Sequence, residues 1–284
     1  MIYLYCLTRS HDENPFNLPV KGIGGRGDEV YSISFLDLAF AASDSPLDEY
    51  ETSRANTMSH QLVCEELMKE GYPVVPARFG TIAEPTKSTA EEKIKALLQR
   101  RYGELHEVLR EMEQKDEQGL KVFWKKELLF QDLVRENREV RLMRDRLSTH
   151  RHSHYDRIEL GTMINEAIES KRDVDAQKLA LALSPLAERY ETNKILIDMM
   201  VLNAAFLVHR SQIEIFDRQV SELDAKYGDR MLFKYVGPVP PFNFVELVIH
   251  WEEAEAELEI VKKGKIGGGK NLVSPPKMQI ETKG

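Results

Sequence analysis

Hydrophobic patterns with periods of two and 3.6 residues divide the first 112 residues into predicted strands and helices. Apolar runs at 2–7, 30–35 and 36–42 predict strands, the last two as a hairpin. Helical spacing predicts one helix over about 53–70, ended by Gly71, and another from about 88 to beyond 111. Their apolar faces are formed by Ala55, Met58, Leu62, Val63 and Leu67 in the first helix and by Ile94, Leu97, Leu98, Leu105, Val108, Leu109 and Met112 in the second.

The pattern changes after residue 113. Polar residues at 114–119 predict a domain boundary, placed between residues 118 and 119. A strand at 120–124 opens the second half, and charge-rich helical sequence follows it. Two further helices are predicted at 158–168 and 175–190. One apolar stripe in this helical region is formed by Leu133, Val140, Met143 and Leu147.

The apolar run at 195–208 is interpreted largely as a buried strand. Ser211 is predicted to cap the helix that follows, and 231–236 is predicted as the final strand. The segment GPVPPFNFV at 237–245 contains three prolines, which exclude a central strand or a helix. The apolar face of the capped helix is formed by Ile213, Phe216, Val220, Leu223 and Tyr227.

These elements predict an α+β fold with two domains. An N-terminal α+β domain is expected at 1–118. The order of elements in 119–250 is that of a modified ferredoxin-like βαββαβ unit, with helices inserted at about 130–190 and one strand not visible in the sequence. Residues 251–284, with a glycine-rich run at 264–269, are predicted to form a tail that is mobile unless it docks on the body.

Composition and charge exclude several classes of protein. The net charge of −8 and the absence of a basic stripe argue against nucleic acid as a partner. The longest apolar run, 195–208, is too short to span a bilayer and contains Asp198 and Asn203, so no membrane association is expected. The N-terminal sequence has no secretory signal pattern, and Cys6 and Cys64 are expected to be reduced and buried. A cytoplasmic location is therefore expected.

Candidate sites for chemistry are weak. The glycine-rich segment at 21–27 precedes a strand rather than a helix, which favours a flexible loop over a phosphate site. His150, His152 and His154 point in different directions on a helix and lack obvious co-ligands, while His209 is expected at a strand end. No hydrolase, nucleotide-binding or metalloprotease motif is present. We therefore expect no enzyme activity, no cofactor and no metal.

Arg78 stands in YPVVPARFGTI at 72–82, where a short strand at 74–75 leads into a turn at Gly80. A partly buried guanidinium needs carboxylate or carbonyl partners, and this structural role is favoured because no other cationic or catalytic residue lies nearby in the sequence. The alternative is a small-molecule-binding or catalytic α+β protein in which Arg78 contacts an anion. An Arg78→Lys variant distinguishes the two roles, because lysine does not reproduce a bidentate guanidinium contact.

Three separated motifs resemble the GvpL/GvpF family of gas vesicle proteins. PARFGT at 76–81 is similar to the P-x-RFGT signature of that family, and MVLNAAFLV at 200–208 is similar to one of its strands. GPVPPFNFV resembles the family's GPWPPYNFV, with Val239 in place of Trp and Phe242 in place of Tyr. The motif residues, expected to be structural or to mediate interaction, are Pro76, Arg78, Phe79, Gly80, Thr81, Asn203, Phe206, Gly237, Pro238, Pro240, Pro241, Phe242 and Phe244.

The resemblance, rather than the composition, implies a function. It implies an accessory protein of gas vesicle assembly that engages the hydrophobic major shell protein, GvpA, and other gas vesicle proteins. It also implies a minor shell-associated location, in the vesicle as well as the cytoplasm. Family resemblance supplies no catalytic residue, and it implies the same two-domain α+β fold with a ferredoxin-like second domain.

Overall fold

The protein is described by a computed structural model that covers residues 1–10, 16, 18–149, 154–251 and 256–267. Its first sheet is antiparallel and has the strand order β2-β3-β1-β4, with β5 also paired to β1. These strands are β1 (Ile2–Arg9), β2 (Val30–Phe35), β3 (Leu38–Asp44), β4 (Val75–Pro76) and β5 (Ile82–Ala83). The predicted hairpin is confirmed, although β3 begins at Leu38 because Leu36 adopts a positive φ of 54° in the turn.

Helix α1 (Arg54–Lys69) begins after Ser53, whose side chain accepts a hydrogen bond from the amide of Asn56, and Gly71 follows it with φ 90°. The predicted apolar face is partly wrong. Met58 is 46% exposed and Leu62 is 38% exposed. The face that packs on the first sheet contains His60, Val63, Cys64 and Leu67.

The single helix predicted from 88 to beyond 111 is instead two helices, α2 (Ala90–Arg100) and α3 (Tyr102–Met112). They are separated at Arg101, whose φ of −106° and ψ of 17° are not helical. A capping box between Thr89 and Glu92 starts α2. Both helices pack into the same core, so the predicted apolar residues are buried although the helix is interrupted.

The second sheet is also antiparallel, in the order β12-β7-β8-β6-β9. Its strands are β6 (Lys115–Trp124), β7 (Arg189–Thr192), β8 (Met200–His209), β9 (Met231–Val239) and β12 (Lys265–Ile266). Strand β6 starts five positions before the strand predicted at 120–124, since the polar residues Asp116, Glu117 and Gln118 are buried strand residues. The boundary predicted between residues 118 and 119 therefore lies inside a strand.

Helices α4 (Lys126–Glu136), α5 (Arg138–Thr149), α6 (His154–Leu183) and α7 (Ile213–Tyr227) cover one face of this sheet. The two helices predicted at 158–168 and 175–190 are one continuous helix, α6, and the residues at 189–192 are strand β7. Ser211 does not cap α7 with its side chain. It lies in a short 3₁₀ turn (Arg210–Gln212), where the amide of Ser211 donates to the imidazole of His209.

The predicted strand at 195–208 begins only at Met200. Leu196 and Ile197 lie in the preceding loop and are more than half exposed, so their predicted burial is wrong. The mixed α+β class is confirmed. Strand β7 lies where the sequence pattern predicts the end of a helix, and the ferredoxin-like assignment and the division into two domains stay predictions.

A hairpin formed by β10 (Val245–Trp251) and β11 (Ala256–Lys262) follows β9, so the prediction that 231–236 is the final strand is wrong. The hairpin packs into the core of the first sheet. Ala77 forms a parallel bridge with Leu247, and the amide of Arg78 donates to the carbonyl of Leu247 over 2.8 Å. The described part of the predicted tail is thus docked on the body. Among the described residues no helix is long and apolar enough to cross a membrane.

Candidate interaction site at the junction of the two sheets

The first and third sequence motifs meet in space, although about 160 positions separate them in the chain. The segment at 76–81 and the segment at 237–245 both lie against α1. The ring of His60 on α1 is 5.9 Å from that of Phe79 and 6.3 Å from that of Phe242, measured between centroids. The residues that resemble a family signature therefore form one contiguous junction between the two halves of the chain.

Arg78 forms an ion pair across this junction. Its Nε and Nη2 atoms donate to Oε2 of Glu246 over 3.1 and 2.9 Å. The side chain of Arg78 is 51% exposed, so this pair stabilises the fold by only about 0.5–1 kcal/mol. The guanidinium therefore connects two distant parts of the chain, namely the turn that follows β4 and strand β10. It does not only connect residues within the N-terminal half.

The turn itself is fixed by hydrogen bonds. Gly80 has a φ of 83°, which favours glycine, and its amide donates to the hydroxyl of Tyr3 over 3.0 Å. Thr81 donates from its hydroxyl to the carbonyl of Arg78 over 2.6 Å. Pro76 is buried and pairs with Cys6 of β1. These motif residues are explained by the local structure of the turn.

A buried histidine absent from the sequence motifs lies beside this turn. His60 is 3% exposed, and its Nδ1 atom is 2.9 Å from the hydroxyl of Tyr3. Burial lowers the pKa of His60 to about 4, against the opposing effect of a hydrogen bond to the backbone of Ala77. The imidazole is therefore neutral at pH 7. The helical spacing of His60 with Val63, Cys64 and Leu67 is the sequence signal for its burial.

A buried carboxyl holds the proline-rich segment on β6. Glu117 is 4% exposed and accepts hydrogen bonds from the backbone amide of Asn243 over 2.8 Å and from its Nδ2 atom over 2.6 Å. Burial raises the pKa of Glu117 to about 7, although both hydrogen bonds act in the opposite direction. Sequence reasoning also missed Glu117, because it lies in the polar run that predicts a domain boundary.

The proline-rich motif changes direction at this point. Gly237 and Pro238 are the last part of β9, joined by a cis peptide bond, and β9 is an edge strand as the prolines require. The amide of Phe242 donates to the carbonyl of Pro240 over 2.7 Å, and that of Phe244 donates to Pro241 over 3.0 Å. Phe244 is fully buried in the core of the first sheet.

The second motif contributes differently. Phe206 lies in the core under α7, with its ring 5.2 Å from that of Phe216, so it is a packing residue and not part of the junction. Asn203 points to the opposite face of the sheet and donates from Nδ2 to the carbonyl of Lys194 over 2.9 Å. Asn203 lines a cleft beside the junction.

This cleft lies between α1 and the face of the second sheet that α6 and α7 leave uncovered. Its volume is about 570 Å³. Gln61 and Glu65 of α1 line one side, Lys121 and Lys234 lie on the sheet, and Phe242 lies at one end. The lining contains apolar and polar side chains, with two cationic groups, Lys121 and Lys234, and two carboxyl groups, Glu65 and Glu117.

Other candidate residues do not add a site. The loop at 21–27 leads into strand β2, as predicted, and buried Ile23 donates its amide to the hydroxyl of Tyr5 over 2.7 Å. His150 and His152 lie outside the described residues, and His154 is exposed at the start of α6. Within the described ranges, no group of three or more His, Cys, Asp or Glu side chains is arranged to hold a metal ion.

We expect Gly237→Ala to lower the free energy of unfolding by about 1–3 kcal/mol. A Cβ atom at this position would lie 2.6 Å from Cδ of Gln118, and the Gln118 side chain is buried and accepts a hydrogen bond from Tyr235, so it has little room to move. Urea unfolding measures the effect. Gly161→Ala is the matched control, since a Cβ there meets nothing within 4 Å in helix α6 and should be neutral or stabilising. Equal stability of the two variants would contradict this packing.

Comparison with known proteins identifies the family. The family model for "Gas vesicle synthesis protein GvpL/GvpF" matches residues 1–246. The chain is 26% identical to gas vesicle protein F of Nostoc sp. over 247 residues, which cover 87% of this chain and 98% of the relative. It is 22% identical to gas vesicle protein F1 of Halobacterium salinarum over 256 residues, covering 89% and 97% of the two chains.

Solved structures agree with this result. The crystal structure of GvpF from Anabaena sp. PCC7120 superposes with a TM-score of 0.67 at 26% identity, covering 85% of this chain and 96% of that one. The crystal structure of GvpF from Microcystis aeruginosa shares the fold, with a TM-score of 0.64 at 23% identity and coverage of 85% and 97%. The chain belongs to the GvpL/GvpF family of gas vesicle synthesis proteins.

Proposed function

We propose that this protein is a gas vesicle accessory protein that binds the hydrophobic major shell protein, of the GvpA type, during shell formation. Family membership is the observation that carries this proposal. A small shell subunit with large apolar surfaces aggregates unless a partner covers them. The exposed Met58 and Leu62 beside the cleft give this protein apolar surface for such a partner.

Capture of the major shell protein tests this function. The tagged full-length protein is co-expressed with the major shell protein, and the captured material is analysed by mass spectrometry. The proposal predicts that the shell protein is enriched, and that deletion of the gene reduces vesicle formation. Absence of association together with normal vesicles in the deletion strain would contradict it.

The location of the protein follows from the same proposal. It is placed in the cytoplasm and on the vesicle shell, with other gas vesicle accessory proteins as further partners. An antibody applied to washed, intact vesicles distinguishes a minor shell component, which stays bound, from an assembly factor, which is removed.

The alternative function, an anion-binding or catalytic protein that uses Arg78, has less support. Two nitrogen atoms of the Arg78 guanidinium are already bonded to Glu246. We propose that the protein is not an enzyme, and neither a cofactor nor a metal enters this function.

We expect Arg78→Lys to lower the free energy of unfolding by less than about 1 kcal/mol, because the ion pair is half-exposed. A double-mutant cycle with Glu246→Gln, measured by urea unfolding, should give a coupling of the same small size. A variant with unchanged stability that loses binding of a small anion would support the alternative function instead.

A further inference from the structure

A strip of uncovered sheet runs along β6 and β9. Three cross-strand pairs form it, because the register places Phe123 opposite Leu232 and Lys121 opposite Lys234, with Gly119 opposite Val236. Side chains two positions apart in a strand share a face, so the strip is apolar, then cationic, then apolar at Val236. Leu232 is 50% exposed and Val236 is 61% exposed.

The two lysines at the centre of the strip are unusual neighbours. Side chains directly opposite in an antiparallel pair have Cβ atoms about 5 Å apart, and like charges at this distance are destabilising. Lys121 and Lys234 are exposed, and neither forms an ion pair in the part of the chain that the structure describes. Lys234 lies over the ring of Phe123, at 5.3 Å from its centroid. The ring of Phe123 offsets part of the charge of Lys234, and Glu65 lines the same cleft, but neither lysine is in an ion pair with a carboxylate of the described chain.

Helix α1 forms the wall beside this strip. Met58, Gln61, Leu62 and Glu65 have the spacing i, i+3, i+4 and i+7, which places them on one face of the helix. Gln61 and Glu65 line the cleft, and Met58 and Leu62 are exposed on the same face. A sheet strip and a helix face, both with exposed apolar side chains, are thus neighbours.

We propose that this strip is the docking surface for an amphipathic helix of a partner protein, whose carboxylates pair with Lys121 and Lys234 and whose apolar side chains cover Leu232 and Val236. Successive same-face residues of a strand lie about 6.7 Å apart, and four residues of a helix rise about 6 Å. A helix along β9 therefore matches the strip when an acidic residue has an apolar residue four positions before it and another four positions after it.

This inference rests on the proposed function, in which the partner is the major shell protein. It adds the surface and the chemistry of recognition. A helix also matches the width of the strip, since a helix diameter of about 10 Å covers two strands spaced about 4.8 Å apart.

The test is charge reversal at the two lysines. The full-length variants are co-expressed with the major shell protein, and captured shell protein is quantified by mass spectrometry. Lys121→Glu combined with Lys234→Glu should reduce capture at least tenfold. Lys87→Glu combined with Lys126→Glu is the control, because both lysines are exposed elsewhere and the change in net charge is identical. The control should capture within about twofold of the wild type.

The outcomes separate the two proposals. Wild-type capture with unchanged capture by the Lys121/Lys234 variant would overturn the docking surface and leave the proposed function intact. No capture by the wild type would overturn this inference, and together with normal vesicles in the deletion strain it would overturn the proposed function as well. Lys121→Gln combined with Lys234→Gln, with folding checked by circular dichroism, should give an intermediate loss. If light scattering shows a wild-type oligomer that the charge reversal dissociates, the occupant is a second copy and the inference is wrong.

Discussion

Phe244→Ala is expected to lower the free energy of unfolding by about 3–5 kcal/mol. Phe244 is fully buried. It belongs to a core cluster that also contains Leu7 and Ile94 from the first half of the chain and Leu207 from strand β8 of the second sheet. Removal of the ring leaves a cavity in this shared core, and urea unfolding measures the loss of free energy.

Phe130→Ala is the matched control for this prediction. Phe130 lies on α4 and is 38% exposed, so the same truncation should cost less than about 1 kcal/mol. If the free energy of unfolding fell by the same small amount in both variants, Phe244 would not be a core residue at the junction. The proline-rich motif would then not hold a core residue in place there.

The second large effect is on the pH dependence of stability. The pKa of Glu117 is raised from 4.5 to about 7, so its contribution to stability is present below pH 4.5 and is lost as the pH rises through 7. The pKa of His60 is lowered from 6.5 to about 4, so its contribution is present above pH 6.5 and is lost as the pH falls through 4. Each contribution is on the order of 3 kcal/mol. Between pH 4.5 and 6.5 the two residues change the free energy of unfolding in opposite directions as the pH rises, so their effects offset each other.

A substitution at either residue removes one of the two opposing effects, so the pH dependence caused by the other residue becomes measurable. The free energy of unfolding of Glu117→Gln, relative to the wild type, should rise by about 3 kcal/mol between pH 4.5 and 7, because the variant no longer has a buried carboxyl to ionise. His60→Gln should change in the opposite direction over pH 4 to 6.5. Urea unfolding at four pH values measures both differences, and Glu214→Gln, at an exposed carboxyl, is the control. Parallel pH profiles for Glu117→Gln and the wild type would contradict the burial of this charge.

Regular hydrophobic spacing made part of the fold predictable. Strands β1, β2 and β3 and helices α1 and α7 are predicted near their observed bounds, because β1 and β3 are continuous apolar runs buried on both faces and the helices each have an apolar stripe. The predicted strand β6 is too short, since Asp116, Glu117 and Gln118 are polar residues buried by the opposite half of the chain. Local sequence contains no signal for such a partner.

The predicted elements omit strand β7 and the hairpin of β10 and β11. Residues 189–192 follow a 3₁₀ turn that contains Pro185, a residue that ends helices, and they pair with β8 as a strand. The sequences VELVI at 245–249 and AELEI at 256–260 have strand-type apolar spacing. Their packing on the first sheet is a tertiary contact that the local sequence does not specify.

The candidate site was predictable only as a set of motifs. The sequence marked Arg78, Phe79 and Phe242, yet the partners that explain them, Glu246 and His60, became visible only when the segments were brought together. The Lys121/Lys234 pair had no sequence signal, because the register between β6 and β9 creates it.

We propose that this protein engages the major shell protein while the vesicle shell forms. Amine-reactive crosslinking in vesicle-forming cells, with crosslinked peptides identified by mass spectrometry, tests it most directly. We expect crosslinks from Lys121 or Lys234 to the major shell protein, at higher yield than from the exposed control residues Lys87 and Lys126. Crosslinks of this protein to other cellular proteins, with none to any gas vesicle protein, would contradict it.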